Sequence, residues 1–188
     1  MSSSAGIRGA PALSASAIVS EAVEGSHVVK VQGYSRIKKL GNGKYIDSEK
    51  FDVGGHRWFI RYYPDGTGAS NAGWISLFLV INLDQSNAAV EASVKFSLMD
   101  DHGEPVSFYC TGWSVTHTFT STSTGFGFVK SMEKKTLEES PYLKDDCFRV
   151  RCDFIVSKEI RTESVTQHVV VPPSDMHEHF GRLLSKKR

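Results

Sequence analysis

Residues 51–66 read Phe-Asp-Val-Gly-Gly-His-Arg-Trp-Phe-Ile-Arg-Tyr-Tyr-Pro-Asp-Gly, and this run leaves few folds open. Gly54 and Gly55 supply a tight turn with positive φ, and Pro64, Asp65 and Gly66 supply a second turn. Between the turns the side chains alternate. Trp58, Ile60 and Tyr62 point one way, Phe59, Arg61 and Tyr63 the other. Both faces carry large groups, so the strand is expected inside a sheet rather than at its edge.

The same period of two recurs along the chain. In residues 74–82, Ile75, Leu77, Leu79 and Ile81 are expected in the core, with Ser76, Phe78, Val80 and Asn82 on the opposite face. In residues 90–99, Val90, Ala92, Val94, Phe96 and Leu98 oppose Glu91, Ser93, Lys95 and Ser97. In residues 147–156, Phe148, Val150, Cys152, Phe154 and Val156 face inward. A strand is also expected at 27–31, with Gly25 and Ser26 parting it from a short edge strand before it. Residues 106–119 form another strand region, and 118–124 is a Ser/Thr loop running into Gly125, Phe126, Gly127 and Phe128. A short helix is expected over 129–140, anchored by Met132 and Leu137 and closed by Pro141. Residues 34–44 read as basic and turn-rich. About seven or eight strands with turns between them predict an all-β fold, an antiparallel sandwich.

Composition agrees and excludes several classes. Of 188 residues, 40% are hydrophobic and 11% aromatic, enough for one packed core rich in strands. A net charge of +1 argues against a broad nucleic-acid surface. No apolar run is long enough for a transmembrane helix. Residues 1–13 read as a disordered lead, and as a signal peptide they are poor. Cys110, Cys147 and Cys152 form no Cys-x-x-Cys pair, which fits reduced thiols in the nucleus or cytoplasm. The terminal Lys186, Lys187 and Arg188 read as a solvated end, with a nuclear address as the alternative.

Sites for chemistry are not evident. The seven histidines (27, 56, 102, 117, 168, 177 and 179) lack zinc-ligand spacing, so no metal is expected. No nucleophile elbow and no phosphate loop before a helix occurs. The acid pairs Glu138-Glu139 and Asp145-Asp146 are expected to be solvated or capping. What stands out is Gly125-Phe126-Gly127-Phe128, two rings between glycines. Its phenylalanines either plug the core from a loop or offer an aromatic platform to an extended peptide.

Several of these segments together resemble one family. Gly33-Tyr34-Ser35, residues 51–55, Tyr63-Pro64-Asp65-Gly66, Ser76-Leu77-Phe78-Leu79, Thr136-Leu137-Glu138 and residues 142–147 occur in the order found in MATH (TRAF-like) domains of plant MATH-BTB proteins. The resemblance covers about residues 14–157 and implies a MATH domain there. Residues 158–188, with Val170-Val171-Pro172-Pro173-Ser174-Asp175-Met176, resemble the connector towards a BTB domain outside this chain. It implies a non-enzymatic peptide receptor without cofactor, the substrate-recognition module of a cullin-RING ubiquitin ligase adaptor. Its partners would be short Ser/Thr-rich client segments, with the cullin ligase reached only through the BTB domain, and neither nucleic acid nor membrane. Carried over by position, the peptide groove is Phe78, Val94, His117, Gly125, Phe126, Gly127 and Phe128. The chain departs from the family where Phe126 replaces Trp, Gly125 replaces Asp and Val129 replaces Lys, which implies a shifted specificity. The alternatives are a TRAF-like signalling adaptor, which would want a coiled coil ahead of the sandwich, and a decoy short form that binds clients without the ligase. A domain of a deubiquitinating protease and a carbohydrate-binding sandwich are more remote.

Overall fold

A computed structural model of the chain describes residues 14–83, 89–110 and 116–165, with the backbone alone for 107–110. The expectations for residues 1–13, the connector after 165 and its three histidines fall outside the described residues. In chain order the elements are β1 (Ser16–Val19), β2 (Ala22–Gln32), α1 (Tyr34–Ile37), β3 (Ile46–Asp47), β4 (Phe51–Val53), β5 (His56–Tyr63) and β6 (Trp74–Asn82). Then come β7 (Val90–Met99), β8 (Pro105–Cys110), β9 (Thr116–Phe119), β10 (Gly125–Glu133), α2 (Lys134–Glu139), β11 (Cys147–Ser157) and β12 (Arg161–Ser164).

One compact unit, Ser20–Glu159, is the antiparallel sandwich. One sheet runs β10-β6-β5-β3, with β4 also on β5; the other runs β2-β11-β7-β8, with β9 also on β7. The second unit contains a two-stranded ribbon, β1 with β12, in which Ser16 faces Ser164 and Val19 faces Arg161. Residues 161–164, expected within the connector, are therefore a strand, because β1 offers a complete antiparallel ladder to pair with.

The faces follow from alternation. Trp58, Ile60 and Tyr62 of β5 and Ile75, Leu77, Leu79 and Ile81 of β6 are buried against β7 and β11 residues. From those two strands come Val90, Ala92, Val94, Phe96 and Leu98, and Phe148, Val150, Cys152, Phe154 and Val156. Each fully buried side chain of this size contributes about 1.5–3 kcal/mol of transfer free energy. Trp58 lies at the middle, its ring 5.2 Å from Phe119 and 5.3 Å from Phe154. Its indole N–H donates to the Val53 carbonyl at 3.0 Å, so burial leaves no donor stranded.

Several local expectations are refined. Among the described residues ten strands build the two sheets, because β3 and β4 pair separately with β5, and β8 and β9 of the 106–119 region pair separately with β7. β2 is continuous across Gly25 and Ser26 and does not break there. A Cβ on Gly25 would sit 2.7 Å from both Val53 methyls, so the glycine serves the close passage of β4 beneath β2. The helix expected at 129–140 occupies Lys134–Glu139, while Met132 and Glu133 pair with Ile75 and Trp74 and extend β10.

The basic segment after β2 opens with a helical turn, α1, and Asp146 explains it. The Asp146 carbonyl accepts from Gly33 and Tyr34 N–H, and its carboxylate takes Ser35 N–H at 2.7 Å and Ser35 Oγ at 2.8 Å. Those contacts satisfy the orphan donors of the first turn from 111 residues away. The Asp145-Asp146 pair is thus partly a cap, as expected. Tyr34 then donates to Glu138 at 2.9 Å beside Lys38, tying α1 to α2. Lys38 and the Tyr34 hydroxyl hold the Glu138 carboxyl below its ordinary range.

Candidate functional site

β10 is the end strand of its sheet: it pairs with β6, and among the described residues no strand takes its other edge. The Gly-Phe-Gly-Phe segment is therefore an edge strand, neither a plugging loop nor an open one. The alternation of β6 sets its faces. Phe126 lies opposite Leu79 and Phe128 opposite Leu77, so both rings point to the core side at the open margin between the sheets. Gly125 and Gly127 lie opposite Val80 and Phe78 on the outer face.

Gly127 is fixed by space. A Cβ there would stand 2.0 Å from the Leu77 carbonyl oxygen and 2.5 Å from the Phe78 Cα, which no side chain can satisfy. Gly125 has room, its Cβ position lying 3.4 Å from a Val80 methyl.

The other sheet reaches this margin through β9. The His117 ring stacks on Phe126 with centroids 4.6 Å apart and planes 13° apart, and meets Phe119 edge-on at 4.9 Å. His117 Nε2 lies 3.1 Å from the Ser123 hydroxyl in the turn joining β9 to β10. That turn closes by reciprocal Thr120 and Ser123 backbone bonds. Phe128 stands 6.1 Å from Phe126 and edge-on to Phe96 at 6.3 Å. His117, Phe126 and Phe128 are half-buried rings held from the core side, with Phe96 and Phe119 beneath them.

After Phe128 the pairing slips, resuming at Met132. Two hydroxyls hold this bulge: Ser76 donates to the Val129 carbonyl at 2.6 Å, and Ser131 donates to the Phe128 carbonyl at 3.0 Å. Val129 is left exposed, and Lys130 lies over the Trp74 ring at 5.6 Å. Bulges of this kind re-aim side chains at sheet edges.

Not every residue carried over by position joins this cluster. Val94 has no exposed surface and pairs with Phe154 in the sandwich interior. It cannot line a groove, because alternation along β7 points it inward beside Ala92 and Phe96. Phe78 lies on the outer face of β6, against Tyr63 at 5.7 Å, across the sheet from Phe126 and Phe128. Ser76, Ser123 and Ser131, which hold the edge in shape, were not singled out in the sequence, since a serine that bonds a distant carbonyl looks like any other.

Among the described residues no three His, Cys, Asp or Glu side chains gather where a metal could bind. Cys152 is buried, and burial pushes its thiol well above its ordinary value, so it stays a small apolar group.

A family model for the MATH domain matches residues 26–154. The chain belongs to the MATH domain family. Among curated relatives, this MATH chain is 32% identical over 184 residues to BTB/POZ and MATH domain-containing protein 4 of Arabidopsis thaliana, covering 94% of the chain and 39% of the relative. It is 34% identical over 173 residues to BTB/POZ and MATH domain-containing protein 5 of the same plant, covering 88% of the chain and 42% of the relative. The chain thus spans about two fifths of the curated relatives it matches. Among solved structures, Notothenia coriiceps TRAF5 aligns with a TM-score of 0.49 at 17% identity, over 79% of this chain and 77% of that one.

Proposed function

We propose that this MATH domain is the client-recognition module of a cullin-type ubiquitin ligase adaptor, and that it takes extended Ser/Thr-rich peptides along β10. One observation carries this reading. Among the described residues β10 presents an unpaired backbone edge, and its own Phe126 ring stacks on His117 beside it. A peptide adding to that edge gains main-chain hydrogen bonds, and every second side chain falls on the aromatic margin. The margin is apolar, so an apolar residue among small hydroxylated ones fits it. Gly125, where the family places an acid, removes that negative charge from the rim and shifts the preference towards less basic clients.

The ligase half of the proposal rests on the chain's relatives, whose names join MATH to BTB/POZ. Here the MATH module is taken as 14–157, the remainder as a connector, and the place of action as nucleus or cytoplasm.

The test is fluorescence anisotropy of Ser/Thr-rich peptides with the full chain and with Phe126→Ala. Loss of an aromatic anchor weakens binding by about 2 kcal/mol, roughly thirtyfold. Peptides N-methylated on alternate residues should bind in one phase and not in the other. Equal binding in both phases rules out strand addition. Binding untouched by Phe126→Ala puts the site elsewhere.

A further inference from the structure

The other sheet also ends in an unpaired strand. β2 pairs with β11 over its whole length, Ala22 to Gln32, and among the described residues no strand takes its second edge. Natural edge strands are kept apart by being short, bulged, interrupted by proline or studded with charge, and of these devices β2 has only the charges of Glu24 and Lys30. This one is 11 residues long, without a register shift and without proline. Its outer-facing side chains are Ala22, Glu24, Ser26, Val28, Lys30 and Gln32, all exposed, with Val28 44% accessible.

These side chains are arranged symmetrically. Glu24 and Lys30 are each three positions from His27, with Ser26 and Val28 between them. In an antiparallel pair of identical strands, faces match only when the two residue numbers in a pair sum to an even value. Registers centred on Glu24 or on Lys30 put like charges together. The register centred on His27 pairs Glu24 with Lys30 twice and Ser26 with Val28 twice, and covers both exposed valines.

We infer that β2 joins β2 of a second copy in a two-fold antiparallel pairing centred on His27, merging two sheets into one. A two-fold axis makes each contact occur twice, which is what the spacing of Glu24 and Lys30 supplies. Within the sandwich unit, β2 packs near β4, while β10 packs near β7 and β9 at the opposite side. The junction therefore leaves both β10 edges open, and a dimer presents two of them to one client. The inference does not depend on what β10 binds.

The experiment is sedimentation velocity of the full chain across a concentration series, for wild type, Glu24→Lys, Lys30→Glu and the double reversal. Both positions are exposed on a sheet face, so the variants should fold, and circular dichroism checks that they do. Wild type should self-associate. Each single reversal should weaken association roughly tenfold or more, since two like-charge pairs replace two opposite ones. The double reversal should restore it, and an equimolar mixture of the two single variants should form a heterodimer. A wild type monomeric throughout overturns the inference. So do single reversals that dimerise like wild type, or a mixture that stays apart.

Discussion

The ladders β11-β2 and β10-β6, one at an end of each sheet, differ in a way that separates stability from the recognition proposed above. Between β11 and β2, eleven residue pairs run without interruption, and the inward side chains of β11 all lie in the core. Between β10 and β6 four pairs form, the register slips, and two more follow. The first ladder uses its side chains to fill space. The second keeps Phe126 and Phe128 only half-buried and relies on Ser76 and Ser131 to hold the slip. A regular ladder stabilises; an interrupted one leaves its rings half-buried at the margin and turns Val129 outward, at a cost in packing.

The sharpest test sets a phenylalanine from each ladder side by side. Phe154→Ala in β11 should destabilise by about 3–5 kcal/mol in chemical denaturation, because it opens a cavity beside Trp58. Phe126→Ala should cost about 1 kcal/mol, as its ring is partly solvated and stacked on one neighbour. Equal losses would erase the distinction between the ladders.

Next comes Gly127→Ala. The added methyl meets the Leu77 carbonyl, so β10 must move off β6, at about 3 kcal/mol, with amide exchange rising in β10 and not in β2. Smaller again is Ser76→Ala. It removes the buried donor to the Val129 carbonyl and should cost about 1–2 kcal/mol while disordering the bulge, read as lost exchange protection at residues 129–131.

The smallest expected effect belongs to the regular ladder. His27 stacks on Phe51 at 4.0 Å, and burial holds its imidazole below the ordinary value of 6.5. The unfolded chain therefore takes up the proton first as pH falls. Stability should be full above about pH 6.5 and decline below it, and His27→Gln should remove that slope from a urea titration series. A slope of the opposite sign would contradict the burial of the ring.

Much of this was legible in the chain. Inward and outward faces of β5, β6, β7 and β11 follow from alternation, because a strand's period of two is a local property and any buried face imprints it on sequence. The turns at Gly54-Gly55 and Pro64-Asp65-Gly66 are equally local, with Gly54, Gly55 and Gly66 all at positive φ. Alternation also contained the fate of Val94, whose place among Ala92 and Phe96 outweighed its position in the family pattern.

What the sequence could not determine was every relation between distant segments. Tyr34–Ile37 is helical because Asp146, far along the chain, supplies its missing acceptor. Gly25 and Gly127 look like breaks, yet each lies within a strand where another part of the fold passes too close for a side chain. His117 and Phe126 stack only because two sheets bring β9 and β10 to one margin. Faces are written by neighbours two residues apart. Edges, close approaches and the partners of a ring are decided by which strands lie side by side, and long-range packing sets that order.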